Sequence, residues 1–158
     1  MQPISTCLWF NNQAEEAANF YTGIFPETII SNVMRYGQGM PGEPGSVMAM
    51  TVMLNSREFI FLNGNSGFVA PGPAVSFFIK CNTQDEVDHY WDKLVDGGTP
   101  IRCGWLTDKY GITWQVVPVK MQQLMGSGNP QKSQKVAQAM MKMIKLDLNE
   151  LQRVFDEA

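Results

Sequence analysis

The chain has 158 residues, a formal net charge of −3 and 44% hydrophobic residues, which fits one folded domain or two small fused modules. Without basic clusters, this charge balance gives no electrostatic reason to expect nucleic acid or an anionic membrane as a partner. No apolar stretch approaches the roughly 20 residues of a membrane span, and no signal-peptide pattern opens the chain, so we expect a cytoplasmic protein. The three cysteines, Cys7, Cys81 and Cys103, are odd in number and lack metal-type pairing, so we expect packing residues rather than disulfides.

An internal repeat organises the chain. Leu8-Trp9-Phe10 leads into a helix-like segment, 14–21, and about half a chain later Phe77-Phe78-Ile79 leads into a similar segment, 84–91. Apolar residues recur in both segments at three- to four-residue spacing, which predicts helices that pack on a sheet. They are Ala14, Ala17, Ala18, Tyr21 and Phe25 in the first helix, and Val87, Tyr90, Trp91 and Leu94 in the second.

Strand-like runs follow each predicted helix. They cover 28–36, 46–54 and 58–62 in the first half, and 100–102, 104–107 and 112–117 in the second. Asn55-Ser56 and the segment 108–111 are typical of turns, and Gly97-Gly98 ends the second helix. Each half therefore predicts a βαβββ module, and the fold class is α+β with C-terminal helices. We expect module 1 at 3–63, a linker rich in turn-forming residues at 64–73, module 2 at 74–118 and a helical tail at 119–158, with a cleft enclosed by the two sheets.

The first half also contains a glycine motif. Residues 37–42 satisfy the pattern G-x-G-x-x-G after a strand, but the dinucleotide fingerprint requires the third glycine to open a helix. Another strand follows here. The sequence therefore predicts a hairpin loop, long enough to act as a lid over the cleft.

The tail is predicted to be helical. Asn129 can cap a helix that has Pro130 at its first position, and Asp147 with Glu150 predicts a capping box for a last helix. Apolar residues give these helices one packing side: Val136, Met140, Met143, Ile144, Leu148, Leu151 and Phe155. We interpret the methionine-rich side as core or dimer packing, and we expect a homodimer.

Several segments together carry a family resemblance. They are 8–11 with 14–21, then 62–64, 74–79, 103–118 and 135–151. In this order they resemble the vicinal oxygen chelate superfamily of glyoxalases, bleomycin resistance proteins and extradiol dioxygenases, and within it the PhnB-like, or 3-demethylubiquinone-9 3-methyltransferase-like, branch. The resemblance implies a glyoxalase/bleomycin-resistance-like fold but says little about function, because one fold hosts many chemistries. No glycine turn joins a strand to a helix, which argues against an S-adenosylmethionine site of the nucleotide-binding type.

The resemblance also implies where a metal site would lie. Metal enzymes of the superfamily have a ligand on the first strand of each module and carboxylates near the far strands. These positions fall near Thr6, at Ala74 or Ser76, at Asn63 or a neighbour, and at Gln115. Neutral hydroxyls and amides bind divalent cations poorly without charged partners, so we expect neither a metal nor another cofactor.

Strand alternation then predicts what lines the cleft. Gln115 shares a strand face with Thr113 and Val117, and Trp105 shares one with Cys103 if no bulge intervenes. We predict a pocket for a small, fairly apolar organic molecule, lined by Thr6, Leu8, Phe61, Asn63, Ser76, Phe78, Cys103, Trp105 and Gln115. The alternative is that several of the aromatic residues are simply core.

Two reactive residue types are not expected to act in catalysis. His89, the single histidine, lies off the apolar stripe of the second helix, so we interpret it as a solvated residue. Cys103 would need a nearby base or cation to become a nucleophile, whereas Arg102 points to the opposite strand face and Lys109 lies in the turn.

Three functions remain open at this point. The first is a metal-free binding protein for a small organic molecule, with or without catalysis. The second is a divalent-metal lyase, isomerase or dioxygenase whose ligands lie elsewhere. The third is antibiotic sequestration of the bleomycin-resistance kind, which would need acidic or aromatic cleft walls. The sequence does not decide whether the protein is an enzyme.

Overall fold

The protein is described by a computed structural model that covers residues 4–64 and 72–158. Its contacts divide the chain into two compact units, Met1–Ala70 and Pro71–Ala158, which we call the first and second module. Most of the predicted linker lies outside the described residues, and its end, Gly72-Pro73, belongs to a short 3-10 turn, Gly72–Ala74. No helix in these ranges is long and apolar enough to cross a bilayer.

The first module has the predicted βαβββ order. Its elements are β1 (Thr6–Phe10), α1 (Ala14–Thr22), β2 (Ile29–Arg35), β3 (Val47–Leu54) and β4 (Arg57–Asn63). The sheet order is β1-β4-β3-β2, with β1 parallel to β4 and the other pairs antiparallel. Asn55 and Ser56 both have positive φ, as a tight two-residue hairpin requires.

The two sides of this sheet have different roles. The apolar stripe of α1 is buried as predicted, and Tyr21 makes an edge-to-face ring contact with Phe61 at 5.9 Å. Phe61 therefore faces α1, on what we call the helix side of the sheet. Side chains alternate along a strand, so the residues next to Phe61 and its partners point the other way, to what we call the open side. Cys7 and Ile60, which are paired in register, are examples.

The second module repeats this plan and adds the tail. Its elements are β5 (Phe77–Cys81), α2 (Gln84–Val95), β6 (Thr99–Pro100), β7 (Trp105–Thr107), β8 (Thr113–Pro118), α3 (Val119–Met125), α4 (Pro130–Met140) and α5 (Leu148–Asp156). The sheet order is β5-β8-β7-β6, with β5 parallel to β8. Its helix side carries buried Leu106, Trp114 and Val116, and α2 buries Val87, Trp91 and Leu94. The α+β class is confirmed, and α3 lies at the start of the helical tail expected at 119–158, before the two helices whose caps were predicted from the sequence.

A tight turn between β6 and β7 interrupts the predicted strand face. Cys103 and Gly104 are its central residues, with φ of 61° and 79°, and the N–H of Trp105 donates to the carbonyl oxygen of Arg102 at 3.2 Å. The strand β7 begins only at Trp105, so Cys103 does not share its face. The backbone N–H groups of Cys103 and Gly104 donate to the carbonyl oxygens of Met143 and Ile144 in the tail, at 2.9 and 2.8 Å. A side chain at position 104 would place its Cβ 2.7 Å from the carbonyl oxygen of Val116, which explains the glycine.

The tail helices form a small core with the end of β8. Val117, Met121, Leu124, Val136, Leu146 and Leu151 make up this buried cluster. The Asn129 cap with Pro130 is confirmed, and Asp147 caps α5 through the backbone N–H of Glu150. The reciprocal half of the predicted capping box is wrong, because the Glu150 carboxylate binds Arg153. Ile144 was predicted on the packing side but is 55% exposed, since it lies in the connection between α4 and α5.

Candidate functional site

A row of three side chains crosses the open side of the second-module sheet. Gln115 on β8 is in register with Phe78 on β5 and with Trp105 on β7. Residues in register on adjacent strands point to the same side, so the amide lies between the two aromatic side chains. Phe78 is 43% exposed, and Trp105 and Gln115 are half-buried. We call Phe78, Gln115 and Trp105 the aromatic row.

Ser76 fixes the amide of this row. The Gln115 Nε2 atom donates a hydrogen bond of 2.9 Å to Ser76 Oγ. Within residues 4–64 and 72–158, no further hydrogen bond engages the Gln115 side chain. One N–H and the carbonyl oxygen are therefore available, so the amide can both donate to and accept from a ligand.

Thr113 adds a second polar group on the same side of β8. It lies two residues from Gln115 and is 3% exposed, yet its Oγ1 atom has no hydrogen-bond partner among the residues described. Buried hydroxyl groups are almost always satisfied by protein, water or ligand. This atom is therefore a candidate contact for a polar atom that enters the site.

The four pocket residues predicted from the first module lie on the helix side of their sheet. Thr6 and Leu8 are in register with Phe59 and Phe61, and Phe61 is fully buried. Asn63 is buried too, where its Oδ1 accepts from the N–H of Ala14 and its Nδ2 donates to the carbonyl oxygen of Val47, both at 2.9 Å. These side chains hold the helix to the sheet. Ser76, Phe78, Trp105 and Gln115 of the predicted set lie together within the second module, whereas Cys103 leaves that set because it lies in the turn between β6 and β7.

The pairing also corrects the metal positions that the resemblance implied. Phe10 pairs with Asn63 and Cys81 with Pro118 at the ends of the two parallel pairs, so the modules can be compared residue by residue. Three residues earlier, Cys7 pairs with Ile60 and Phe78 with Gln115. The equivalent open-side positions are thus Cys7, Ile60, Phe78 and Gln115. Thr6, Ser76 and Asn63 are not among them.

This set does not fit a divalent cation. A phenyl ring and an alkyl chain have no donor atoms, and an amide with one thiol supplies no carboxylate or imidazole. Partial desolvation also raises the pKa of the Cys7 thiol, although the residue is exposed. No group of three or more histidine, cysteine, aspartate or glutamate side chains with metal-site geometry occurs in the described part of the chain.

The remaining reactive side chains lie away from the row. Cys81 is fully buried at the end of β5, and burial, followed by the Glu86 charge, raises its pKa to about 12. His89 is an exposed residue of α2, as predicted, with its ring edge-on to Tyr90 at 5.1 Å. Neither is placed to act as a nucleophile or base on a ligand at the aromatic row.

Two βαβββ modules define the fold of the vicinal oxygen chelate superfamily. Within it, the chain belongs to the 3-demethylubiquinone-9 3-methyltransferase family, whose model matches residues 2–117 and so ends before α3. A solved PhnB protein of Bacillus cereus, described as a candidate 3-demethylubiquinone-9 3-methyltransferase, is 36% identical and has a TM-score of 0.66, covering 75% of this chain and 100% of its own.

More distant structures share only the fold. A protein from Pseudomonas aeruginosa is 17% identical with a TM-score of 0.61, and the match covers 75% of this chain and 98% of that one. The fosfomycin resistance protein FosX of Mesorhizobium loti is 12% identical with a TM-score of 0.51, over 77% of this chain and 95% of its own. Among curated proteins, none matches significantly.

Proposed function

We propose that the protein binds a small, largely apolar organic molecule on the open side of the second-module sheet, without a metal ion. The observation that carries this proposal is the aromatic row, in which Gln115, held by Ser76, stands between Phe78 and Trp105. Aromatic walls with a few fixed polar groups are the usual composition of small-molecule sites. Aromatic side chains supply most of the contact area, and the amide sets the orientation of the ligand.

The family description suggests a class of ligand. It names a demethylubiquinone, which is a ring with oxygen substituents. A planar ring of this kind can stack on Phe78 or Trp105 while its oxygen atoms exchange hydrogen bonds with the Gln115 amide. We therefore propose planar, oxygen-substituted rings as the ligand class, and the proposal concerns binding rather than methyl transfer.

A thermal-shift screen tests this proposal. Substituted quinones and phenols are compared with aliphatic alcohols of similar size, each in EDTA and again with Mn²⁺, Ni²⁺ or Zn²⁺, because a ligand that binds the native state raises Tm. We expect the ring compounds to stabilise the protein in EDTA. Hits that appear only when metal is added would support the divalent-metal alternative instead.

Calorimetric titration of a hit then locates the site. Trp105→Ala removes a stacking wall, and Gln115→Leu removes the hydrogen-bonding amide at nearly constant shape. Each is expected to weaken binding about fivefold or more, corresponding to ~1 kcal/mol. Gln123→Leu, at an exposed position of α3, is the matched control. Unchanged affinity in both Trp105→Ala and Gln115→Leu would refute the site.

A further inference from the structure

A second cleft lies entirely within the first module, at the end of the sheet where β1 and β4 finish. Its volume is about 620 Å³, within the range of small-molecule sites. Its walls come from the ends of these strands, the start of α1 and the hairpin loop between β2 and β3. The residues used below are Trp9, Asn12, Glu15, Tyr36, Glu43 and Ser46. The glycine motif of residues 37–42 thus lies in a loop that helps to build a cleft.

Two glycines make room for the aromatic walls. A Cβ atom on Gly42 would lie 2.3 Å from Cδ2 of Tyr36, and a Cβ atom on Gly64 would lie 2.3 Å from Cζ2 of Trp9. Neither glycine has a positive φ, so the ring contact rather than the backbone conformation requires the missing side chain. Both rings are therefore packed closely against the backbone.

Hydrogen bonds occupy the polar atoms of the same two rings. Tyr36 Oη donates to the carbonyl oxygen of Asn63 at 3.1 Å, and Trp9 Nε1 donates to that of Gly64 at 3.4 Å. Because these polar groups are bonded to the backbone, the two side chains line the cleft with carbon atoms and π surface. Electron-rich ring faces attract cations.

The charged residues that line the cleft are negative, as a site for a cation requires. Its charged lining residues within the described ranges are two carboxylates, Glu15 and Glu43, and no lysine or arginine lines it. Arg35 compensates Glu15 through hydrogen bonds of 2.7 and 3.3 Å, and this hydrogen bonding lowers the pKa of Glu15. Arg35 also donates to the carbonyl oxygen of Gly45 at 3.0 Å, which fastens the loop to α1. Among described residues, Glu43 forms no ion pair, so its charge is left for a ligand.

We infer that this cleft binds a small organic cation, with an ammonium group against Trp9 and Tyr36 and with Glu43 as its counter-ion. Aromatic side chains with a nearby carboxylate recognise alkylammonium groups by combining cation–π attraction with charge pairing. Asn12 and Ser46 can hydrogen-bond polar atoms elsewhere on the ligand. The inference is independent of the aromatic row, because all of its residues belong to the first module.

An NMR titration of the full-length, ¹⁵N-labelled protein at low salt tests the inference. Choline is the probe, and 3,3-dimethylbutan-1-ol, which has the same shape without the charge, is the neutral control. The indole N–H signals of Trp9 and Trp105 report on the two sites separately. We expect choline to shift the Trp9 signal, with an affinity at least threefold above that of the neutral alcohol.

Charge and shape variants complete the test. Glu43→Gln should weaken choline about three- to tenfold, whereas Glu27→Gln, which removes a charge from the same module outside the cleft, should not. Gly42→Ala should weaken choline because its Cβ displaces Tyr36. Gly37→Ala is the matched control, since its Cβ would meet only Met40 Sδ at 3.7 Å. The spectrum of each variant shows whether it is folded.

Three results would overturn the inference: equal binding of choline and the alcohol, shifts confined to Trp105, or unchanged affinity in folded Glu43→Gln. None of them bears on ring compounds at the aromatic row. Conversely, if ring compounds do not bind at the aromatic row, the choline titration at Trp9 is unaffected.

Discussion

At the scale of single residues, the chemical character of the open side of the second module depends on the amide of Gln115 and on the aromatic side chains of Phe78 and Trp105 beside it. A carboxylate there would supply a charged oxygen ligand of the kind that divalent cations prefer, whereas an amide held by Ser76 is a neutral donor and acceptor. Phe78, its neighbour in register, adds no ligand atom. The side chains of this face therefore suit the proposed recognition of a ligand by shape and hydrogen bonding.

Strand alternation in the sequence placed Gln115 opposite Trp114 and Val116, and the pairing of β5, β7 and β8 agrees with that side for Gln115, Phe78 and Trp105. That these residues form a ligand site stays a prediction. In the first module, the ligand position expected near Thr6 is one residue away from the open side, and a shift of one moves every side chain to the opposite face. Trp9, Tyr36 and Glu43 carry no motif. The only sequence signal for the two aromatic residues is the pair Gly42 and Gly64. Its meaning follows from the ring contacts in the structure, which leave no room for a Cβ atom at either glycine.

Asp108 allows a prediction about stability. Its carboxylate is 3% exposed and accepts from the N–H groups of Tyr110 and Ile112 and from Trp114 Nε1, at 2.9, 3.0 and 2.8 Å. Asp108→Ala leaves these donors without their acceptor, so we expect the free energy of unfolding in urea to fall by about 3 kcal/mol or more. Asp108→Asn, which keeps one oxygen for the two backbone groups, should cost less. A loss below about 1 kcal/mol in the alanine variant would contradict this role.

At the scale of elements, the tail is attached to the second module through the start of α2. The Gln84 amide accepts from the N–H of Leu148 at 2.8 Å and donates to the carbonyl oxygen of Leu146 at 3.2 Å. Lys145 binds Asp88 and Asp92 of the same helix at 2.6 and 3.1 Å. The sequence predicted the helices of the tail from their caps, but these contacts join residues more than fifty positions apart and leave no local pattern.

This attachment predicts a pH dependence. Hydrogen bonds from Lys145 and then Gln84 lower the pKa of Asp88 below its ordinary value of 3.8. A lowered folded-state pKa contributes stability above about pH 4, and that stability is lost as the pH falls through the folded-state value. Lys145→Met should therefore lower the unfolding free energy at pH 6 by ~0.5 kcal/mol, a small amount because the pair is partly exposed.

Urea unfolding at several pH values checks this expectation. The difference between Lys145→Met and the natural chain should shrink below about pH 4, as Asp88 becomes protonated in both proteins. Lys120→Met, at an exposed position of α3, should show no such trend. A difference that stays constant from pH 6 to pH 3 would rule out the proposed linkage.

At the scale of the whole molecule, the repeat could be predicted because each module contains the same order of strand, helix and strands, with the same spacing of apolar residues. The sequence did not predict that the backbone next to β7 forms hydrogen bonds with the tail. The turn at Cys103 and Gly104 is bonded to the tail, because backbone carbonyl groups of the connection after α4 accept hydrogen bonds from both of its N–H groups. Such long-range pairing is invisible in local periodicity.

The oligomeric state remains a prediction at this scale. β2 is an edge strand with four exposed apolar side chains, Ile29, Ile30, Val33 and Met34. An uncovered edge of this kind favours association, so we expect a homodimer that buries it. Light scattering after gel filtration should give twice the chain mass, and Val33→Lys should shift it to the monomer, while Val75→Lys, at another exposed valine, should not. A monomeric natural chain would disprove this expectation.

The central claim is that the open-side positions Cys7, Ile60, Phe78 and Gln115 offer too few ligand atoms to hold a divalent cation. The most direct test is the metal content of protein purified without chelator, measured by inductively coupled plasma mass spectrometry. We expect far less than one equivalent of manganese, nickel or zinc per chain. One equivalent that survives dialysis in the natural chain but is lost in Gln115→Leu would contradict the claim.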